Sequence, residues 1–204
     1  MNSAVSDFEK IRKDLRVNVR DTYGIQWSDT ALDIIINDAQ REYSFYAQNL
    51  VGEYEIKSSG TGVMQLPEDF ISPIKCIDVK GHEIDIVSYR ELIKHYGDFR
   101  KAQGDIVKYC CFDFDGCGYM RICPIVPQDI VIGKILYTRY AKSNIIETLN
   151  TEAIKEHALF QMKFASQQGD YSKHYNNFIR LVDEENRSNN TLNMKKKSVR
   201  GVYY

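Results

Sequence analysis

The feature that most constrains the fold of this chain is a hydrophobic period that changes twice. Apolar residues recur at helical spacing up to residue 50, alternate with polar residues from Glu53 to Tyr140, and return to helical spacing at Thr151. Because the two periods belong to different elements, helices should lie at both ends of the chain and strands between them. We therefore predict an α+β fold: a helical bundle built from the N- and C-terminal helices, with a β-rich, antiparallel, hairpin-built central insertion and an extended C-terminal tail.

These patterns divide the 204 residues into four predicted segments. A chain of this length can form one domain of ordinary size that carries an insertion. The segments are the N-terminal helices of the bundle at residues 1–50, the β-rich insertion at 51–150, the C-terminal helices of the bundle at 151–187, and the extended docking tail at 188–204.

The second helix carries the clearest apolar stripe in the sequence. Gly24 suits a left-handed turn after the first helix, and Ser28 or Asp29 can cap the second. The apolar residues of the two C-terminal helices have the same spacing, so we expect all these helices to share a core. The predicted bundle core consists of Trp27, Leu32, Ile35, Ile36, Ala39, Tyr43, Ile154, Ala158, Met162 and Phe178.

The alternating centre of the chain predicts a series of hairpins. One short helix at residues 88–96 interrupts them, and Ser88 with Glu91 three residues later forms a capping box at its start. The last strand is expected to be bulged at Gly133. Strands are predicted at residues 53–57, 63–66, 74–79, 83–87, 106–114, 117–123 and 130–140.

The five cysteines are the first candidates for chemistry. The turn at residues 115–116 is the strongest hairpin signal, and pairing across it sets Cys110 opposite Arg121 and turns Cys111 to the other face. Cys110 and Cys117 would then lie roughly 13 Å apart along the ladder. A tetrahedral zinc ion needs thiolates at about 2.3 Å. We interpret the cysteines as small buried hydrophobes, and their odd number argues against a disulfide framework.

No catalytic, metal or cofactor motif is found elsewhere, so we predict that the chain is not an enzyme and holds no cofactor. The four histidines are scattered, and the sequence has no nucleophile elbow, P-loop or dinucleotide-binding glycine pattern. The net charge of −1 provides no whole-surface attraction to DNA or anionic lipid. No apolar run approaches the roughly 18–20 residues that span a bilayer. The N-terminus does not resemble a signal peptide, which predicts synthesis in the cytoplasm.

The last 17 residues, 188–204, contain the most notable charge pattern. A disordered basic terminus is the commonest fate of such a segment. We predict instead that it docks on a neighbouring chain, with the apolar residues as anchors and the basic ones pairing with acidic groups or phosphates. The predicted docking residues are Lys195, Lys196, Lys197, Arg200, Val202, Tyr203 and Tyr204.

Three motifs, taken in order, resemble the head-to-tail adaptor proteins of tailed bacteriophages, also called head-completion or connector ring proteins, most nearly the short-tailed and crAss-like types. They are Trp27–Leu32 at the start of the second helix, Leu66–Phe70 after a hairpin, and the final helical pair from Glu152 to Tyr171. Together they span about residues 8–187. The resemblance implies a homo-oligomeric ring, commonly of about twelve copies, beneath the portal vertex.

The resemblance also implies partners and a location. Such a ring binds the portal protein, contacts the next tail or ring protein, and extends the channel through which double-stranded DNA passes during ejection. The expected location is the head–tail junction of the virion, with no membrane association. Two alternatives stay open: a nucleic-acid-binding module acting through the basic C-terminal tail, and a phage-borne cell-wall hydrolase.

Overall fold

The computed structural model describes residues 2–58, 60–112, 118–126, 130–147, 150–167 and 169–199, with the backbone alone at 2–6 and 190–199. The described residues form five helices: α1 (Asn2–Asn18), α2 (Asp29–Ala47), α3 (Tyr89–Tyr96), α4 (Thr151–Ala165) and α5 (Tyr171–Val199). They also form seven strands: β1 (Val51–Lys57), β2 (Val63–Gln65), β3 (Phe70–Asp78), β4 (Glu83–Ile86), β5 (Tyr109–Cys111), β6 (Tyr119–Cys123) and β7 (Val131–Arg139).

The chain separates into two compact units. The helical unit comprises Met1–Leu50 and Tyr140–Tyr204, and the sheet unit comprises Val51–Arg139. Each unit has a hydrophobic core drawn from its own elements.

In the helical unit, α1, α2 and α4 pack around one group of buried aliphatic side chains that includes Leu15. A second group joins α2 to α5. Burying one such side chain contributes about 1.5–3 kcal/mol. Of the residues predicted for the bundle core, Trp27 and Ile35 are partly buried against the first group. The others are buried: Leu32, Ile36, Ala39, Ile154, Ala158 and Met162 in the first group, and Tyr43 and Phe178 in the second.

Two predicted helix starts are confirmed. The Ser28 hydroxyl accepts a hydrogen bond from the N–H of Ala31 at the start of α2. At α3, Ser88 and Glu91 form the predicted capping box. Both caps satisfy N–H groups that have no partner within the helix.

The sheet unit contains one seven-stranded, nearly closed, barrel-like sheet with strand order β1-β7-β3-β4-β5-β6-β2. Its two edge strands, β1 and β2, are neighbours in sequence and are joined by residues 58–62. The sheet therefore curls until every strand contributes to a common core. The contributing side chains are Ile56, Met64, Cys76, Ile84, Cys110, Met120, Ile122 and Ile135.

The predicted helical bundle with a β-rich insertion is therefore wrong. The core of the fold is the seven-stranded sheet, accompanied by five helices, of which α3 belongs to the sheet unit. The predicted hairpins account for few of its pairings, because β7 pairs with β1 and β3, β6 pairs with β2, and β4 pairs with β5 in parallel. Pairings between strands this distant in sequence leave no local signal.

The predicted extended C-terminal tail is also wrong over residues 188–199. Here α5 continues as a helix to Val199. No glycine or proline occurs between Asp170 and Arg200, so nothing local ends the helix where its apolar stripe ends.

The predicted cysteine register is wrong by one residue. Cys110 pairs with Ile122, and Cys111 pairs with Arg121. Cys110 and Cys111 face opposite sides of the sheet as predicted, and the observed register places Cys123 of β6 on the face of Cys111. Cys110 lies in the core of the sheet, while Cys111 and Cys123 pack with Leu92 of α3. The four described cysteines, Cys76 included, are buried and form no disulfide with one another, as expected of small hydrophobes. The predicted turn at Asp115 and Gly116, with Cys117, lies outside the described residues.

Candidate interaction surface

The loop between α1 and α2 is organised around a buried carboxylate. Asp21 Oδ1 accepts the backbone N–H of Ile25 at 2.8 Å and that of Gln26 at 3.1 Å. Its Oδ2 accepts the N–H of Trp27 at 2.8 Å. The Asp21 side chain is only 5% exposed, so the loop wraps around it. One side chain thus satisfies three backbone N–H groups of the loop.

Arg16 fastens this loop to both helices. Its Nη1 lies 3.2 Å from Asp21 Oδ2, and its Nη2 lies 2.6 Å from Asp29 Oδ1 in the first turn of α2. A Cβ at Gly24, whose φ is +68°, would lie 2.9 Å from the same guanidinium. Glycine therefore permits both the left-handed backbone and the close approach of Arg16.

The hydrogen bonds and the ion pair stabilise the charged forms of both carboxylates. The backbone N–H of Gln26 is the largest influence lowering the pKa of Asp21 below its ordinary value of 3.8, and burial opposes it. The hydrogen bond from Arg16 similarly lowers the pKa of Asp29. The loop therefore keeps its charged, hydrogen-bonded form throughout the neutral pH range.

At its tip the loop presents two large apolar side chains to solvent. Tyr23 is 92% exposed and Ile25 is 88% exposed. Arg20 lies exposed beside them, with a left-handed backbone at φ +59°. We call Arg20, Tyr23 and Ile25 the Tyr23 knob. A side chain held on an ordered loop loses little entropy on binding, and aromatic residues are enriched among the anchors of protein interfaces.

A shallow cavity of about 420 Å³ lies on the same unit, against the C-terminal half of α2. We call it the α2–α4 groove. Its walls combine two aromatic rings with acidic groups, and Phe45 is 47% exposed. The Arg41 guanidinium lies 4.2 Å from the centre of the Tyr140 ring, in the geometry of a cation–π contact. The lining residues are Asp38, Arg41, Glu42, Phe45, Tyr140 and Gln161.

The knob and the groove lie at different points along α2. The knob precedes Asp29, while the groove residues run from Asp38 to Phe45. With a rise of about 1.5 Å per residue, this places the groove about 14–24 Å along the helix from the start of α2.

The predicted docking residues of the C-terminus contribute little to this description. The backbone of Lys195, Lys196 and Lys197 lies within the last turns of α5. The other four, Arg200, Val202, Tyr203 and Tyr204, lie outside the described residues. The side chains of all seven residues thus lie outside the described part of the structure, and their docking role stays a prediction.

One polar cluster joins α4 to α5. His174 Nδ1 lies 2.8 Å from Glu156 Oε2, and Lys163 Nζ lies 2.7 Å from His174 Nε2. All three side chains bridge the two helices, so we assign this cluster to packing. Among the described residues there is no group of three or more histidine, cysteine, aspartate or glutamate side chains that could hold a metal ion. Nor does any helix in the described part of the chain combine the length and the apolar character needed to cross a membrane.

No protein-family model matches the chain, and no curated protein matches it. The function has to be inferred from the residues and their geometry.

Neither the knob nor the groove was predicted from the sequence. A signal for the knob exists, since Asp21 followed by Gly24 marks a turn, and Tyr23 and Ile25 are apolar within it. The groove has no such signal, because its walls come from residues as far apart as Asp38 and Gln161.

Proposed function

We propose that this chain is a virion structural protein, a portal-proximal head-to-tail adaptor that forms a ring, joins the portal to the tail and extends the DNA channel. Two lines of support are independent of each other. The first is the resemblance carried by the ordered motifs between residues 8 and 187. The second is the Tyr23 knob, whose two large apolar side chains are almost fully exposed on an ordered loop.

The knob is the observation that carries the proposal. An apolar loop tip that is almost fully exposed adds little to the folding of its own chain, whereas an assembly protein uses such a tip as an anchor. The two exposed apolar side chains of the knob lie on one ordered loop, where both are available to a single protein partner. The carboxylate of Asp21 holds the tip in one conformation, as a repeated contact between identical subunits requires.

The charge of the chain suits passage of DNA. The net charge is −1, and a near-neutral channel wall releases few counterions from a passing duplex. DNA would slide past such a wall, whereas a strongly basic wall would retain it.

Electron microscopy of the chain, alone and mixed with the portal protein from the same genome, tests the proposal. We expect a ring stacked on the portal, with rotational symmetry matching the portal or a divisor of it. Adaptors can stay monomeric until they meet the portal, so the sample mixed with portal protein is the one that tests the adaptor function. A chain that remains unbound to the portal at all concentrations and salt conditions would overturn the proposal.

A DNA-binding assay separates the adaptor from the nucleic-acid-binding alternative. Affinity that falls steeply between low and physiological salt, and disappears on deletion of residues 188–204, would assign the function to the basic C-terminus if portal binding were absent. Weak, non-specific DNA binding by a chain that still binds the portal supports the adaptor.

A further inference from the structure

We propose that the Tyr23 knob of one copy of this chain docks into the α2–α4 groove of a second copy. This inference rests on the proposed function and deepens it, because it names the contact that builds the ring. The partner is an identical chain, so each copy offers one knob and one groove.

The two surfaces are complementary in charge. The knob carries the exposed cation of Arg20, and the groove carries two carboxylates, Asp38 and Glu42, against the single cation of Arg41, which lies over the Tyr140 ring. Neither carboxylate forms an ion pair with any described residue. Opposite charges on the rim of a contact steer association and fix its register.

The two surfaces are also complementary in their apolar groups. Tyr23 and Ile25 would lie against Phe45 and Tyr140, the aromatic walls of the groove. The Arg41 guanidinium already lies over the Tyr140 ring. In the proposed contact the ring of Tyr23 would pack against the other face of this guanidinium. Tyrosine is the residue type that such anchor sites favour, since it buries a large area and loses few rotamers.

The proposed contact runs head to tail from one copy to the next. Knob and groove are separated by about 14–24 Å along one rigid helix, so a knob does not reach its own groove. When the knob of one copy enters the groove of the next and each copy leaves its other surface for a third, the contact is heterologous, and it generates a ring when its rotation closes. A reciprocal, two-fold exchange of knobs and grooves would instead stop at a dimer.

Complementation between two defective chains tests this contact directly. The first chain carries Tyr23→Asp and Ile25→Asp, which remove the knob and keep the groove. The second carries Phe45→Asp, which disables the groove and keeps the knob. We expect wild type to associate beyond the dimer as concentration rises, and each defective chain to remain monomeric. A mixture of the two should form a one-to-one dimer and nothing larger, measured by analytical ultracentrifugation.

A charge exchange gives a second test with little risk to folding, because both positions are exposed. Arg20→Asp and Asp38→Arg should each weaken association, and the double variant should restore it. Aspartate tolerates the left-handed backbone at position 20. Ile106→Asp is the matched control, since Ile106 is 64% exposed and belongs to neither surface. It should associate like wild type.

Photo-crosslinking decides the case in which the free chain associates weakly. A benzoylphenylalanine placed at position 23 should crosslink to peptides containing residues 38–45 or 140 of another, isotopically labelled copy, either free or bound to the portal. Crosslinks that map elsewhere, or no crosslinks in either the free or the portal-bound sample, would overturn the inference. A mixture of the defective chains that stays monomeric under conditions in which wild type associates would overturn it as well.

The two proposals can fail separately. A ring on the portal that tolerates loss of the knob would refute the knob–groove contact and leave the adaptor function standing. Knob–groove association in a chain that never binds the portal would do the reverse.

Discussion

His157 is a buried histidine of α4, 5% exposed, and its ring packs against the rings of Phe160 and Phe178 with centres 5.7 and 4.7 Å away. Its Nδ1 has no hydrogen-bond partner among the described residues. Burial lowers the pKa of His157 from 6.5 to about 4, because the charged ring would lose its hydration in this apolar site. The helical unit should therefore lose stability in mild acid.

Proton linkage gives the direction and the size of this loss of stability. Below pH 6.5 the histidine of the unfolded chain takes up a proton, while the folded imidazole stays neutral until about pH 4. Protons therefore favour the unfolded state, and the loss of stability grows from pH 6.5 down to about pH 4. Between about pH 7.5 and about pH 5 the two pKa values give a loss of about 2 kcal/mol in the free energy of unfolding.

Urea denaturation of wild type and His157→Leu at these two pH values tests the prediction. Trp27, the only tryptophan, reports on the helical unit by its fluorescence. The variant should lose about 2 kcal/mol less than wild type between the two pH values, and the other titrating groups cancel in this difference. Met162→Leu, a volume-conserving change at another buried position of α4, is the matched control and should show the pH dependence of wild type. Equal pH dependence of wild type and His157→Leu would refute the reasoning.

Three further predictions concern the backbone and the loop. Gly133→Ala should cost about 3 kcal/mol of unfolding free energy, since its Cβ would lie 2.1 Å from a carbonyl oxygen of β3. Gly81→Ala, which meets no atom within 4 Å but has φ +89°, should cost about 1 kcal/mol; equal costs would contradict the steric account. Ser28→Ala should destabilise α2 by about 1 kcal/mol in the same denaturation assay, while Ser28→Asp should retain the cap. Asp21→Asn should speed hydrogen exchange at the three N–H groups that Asp21 binds, Trp27 among them, and unchanged exchange would exclude Asp21 as their organiser.

The helix caps were predictable because they depend on residues three apart in sequence. Ser88 and Glu91 satisfy each other's backbone, and the same short-range chemistry identifies Ser28. The alternating pattern likewise placed a strand at each predicted position in the described chain, although β5 is shorter than expected.

The pairing of those strands was not predictable in the same way. The alternation of apolar and polar residues predicts that Ile135 faces a core. It does not predict that β7 pairs with both β1 and β3. The cysteine register failed for a related reason: the pairing of Cys110 was extrapolated from one assumed turn, and a shift of one residue reverses every face.

The two parts of the interaction surface, the loop and the groove, differ in how far they depend on local sequence. The sequence by itself determined the ordered loop, since Arg16, Asp21, Gly24 and Asp29 lie within 14 positions and satisfy one another locally. The tertiary structure alone decided that the sheet closes on itself and that the helices leave a groove. The physical reason is range: hydrogen bonds and caps are set by neighbouring residues, whereas sheet closure and cavities depend on the packing of elements far apart in the chain.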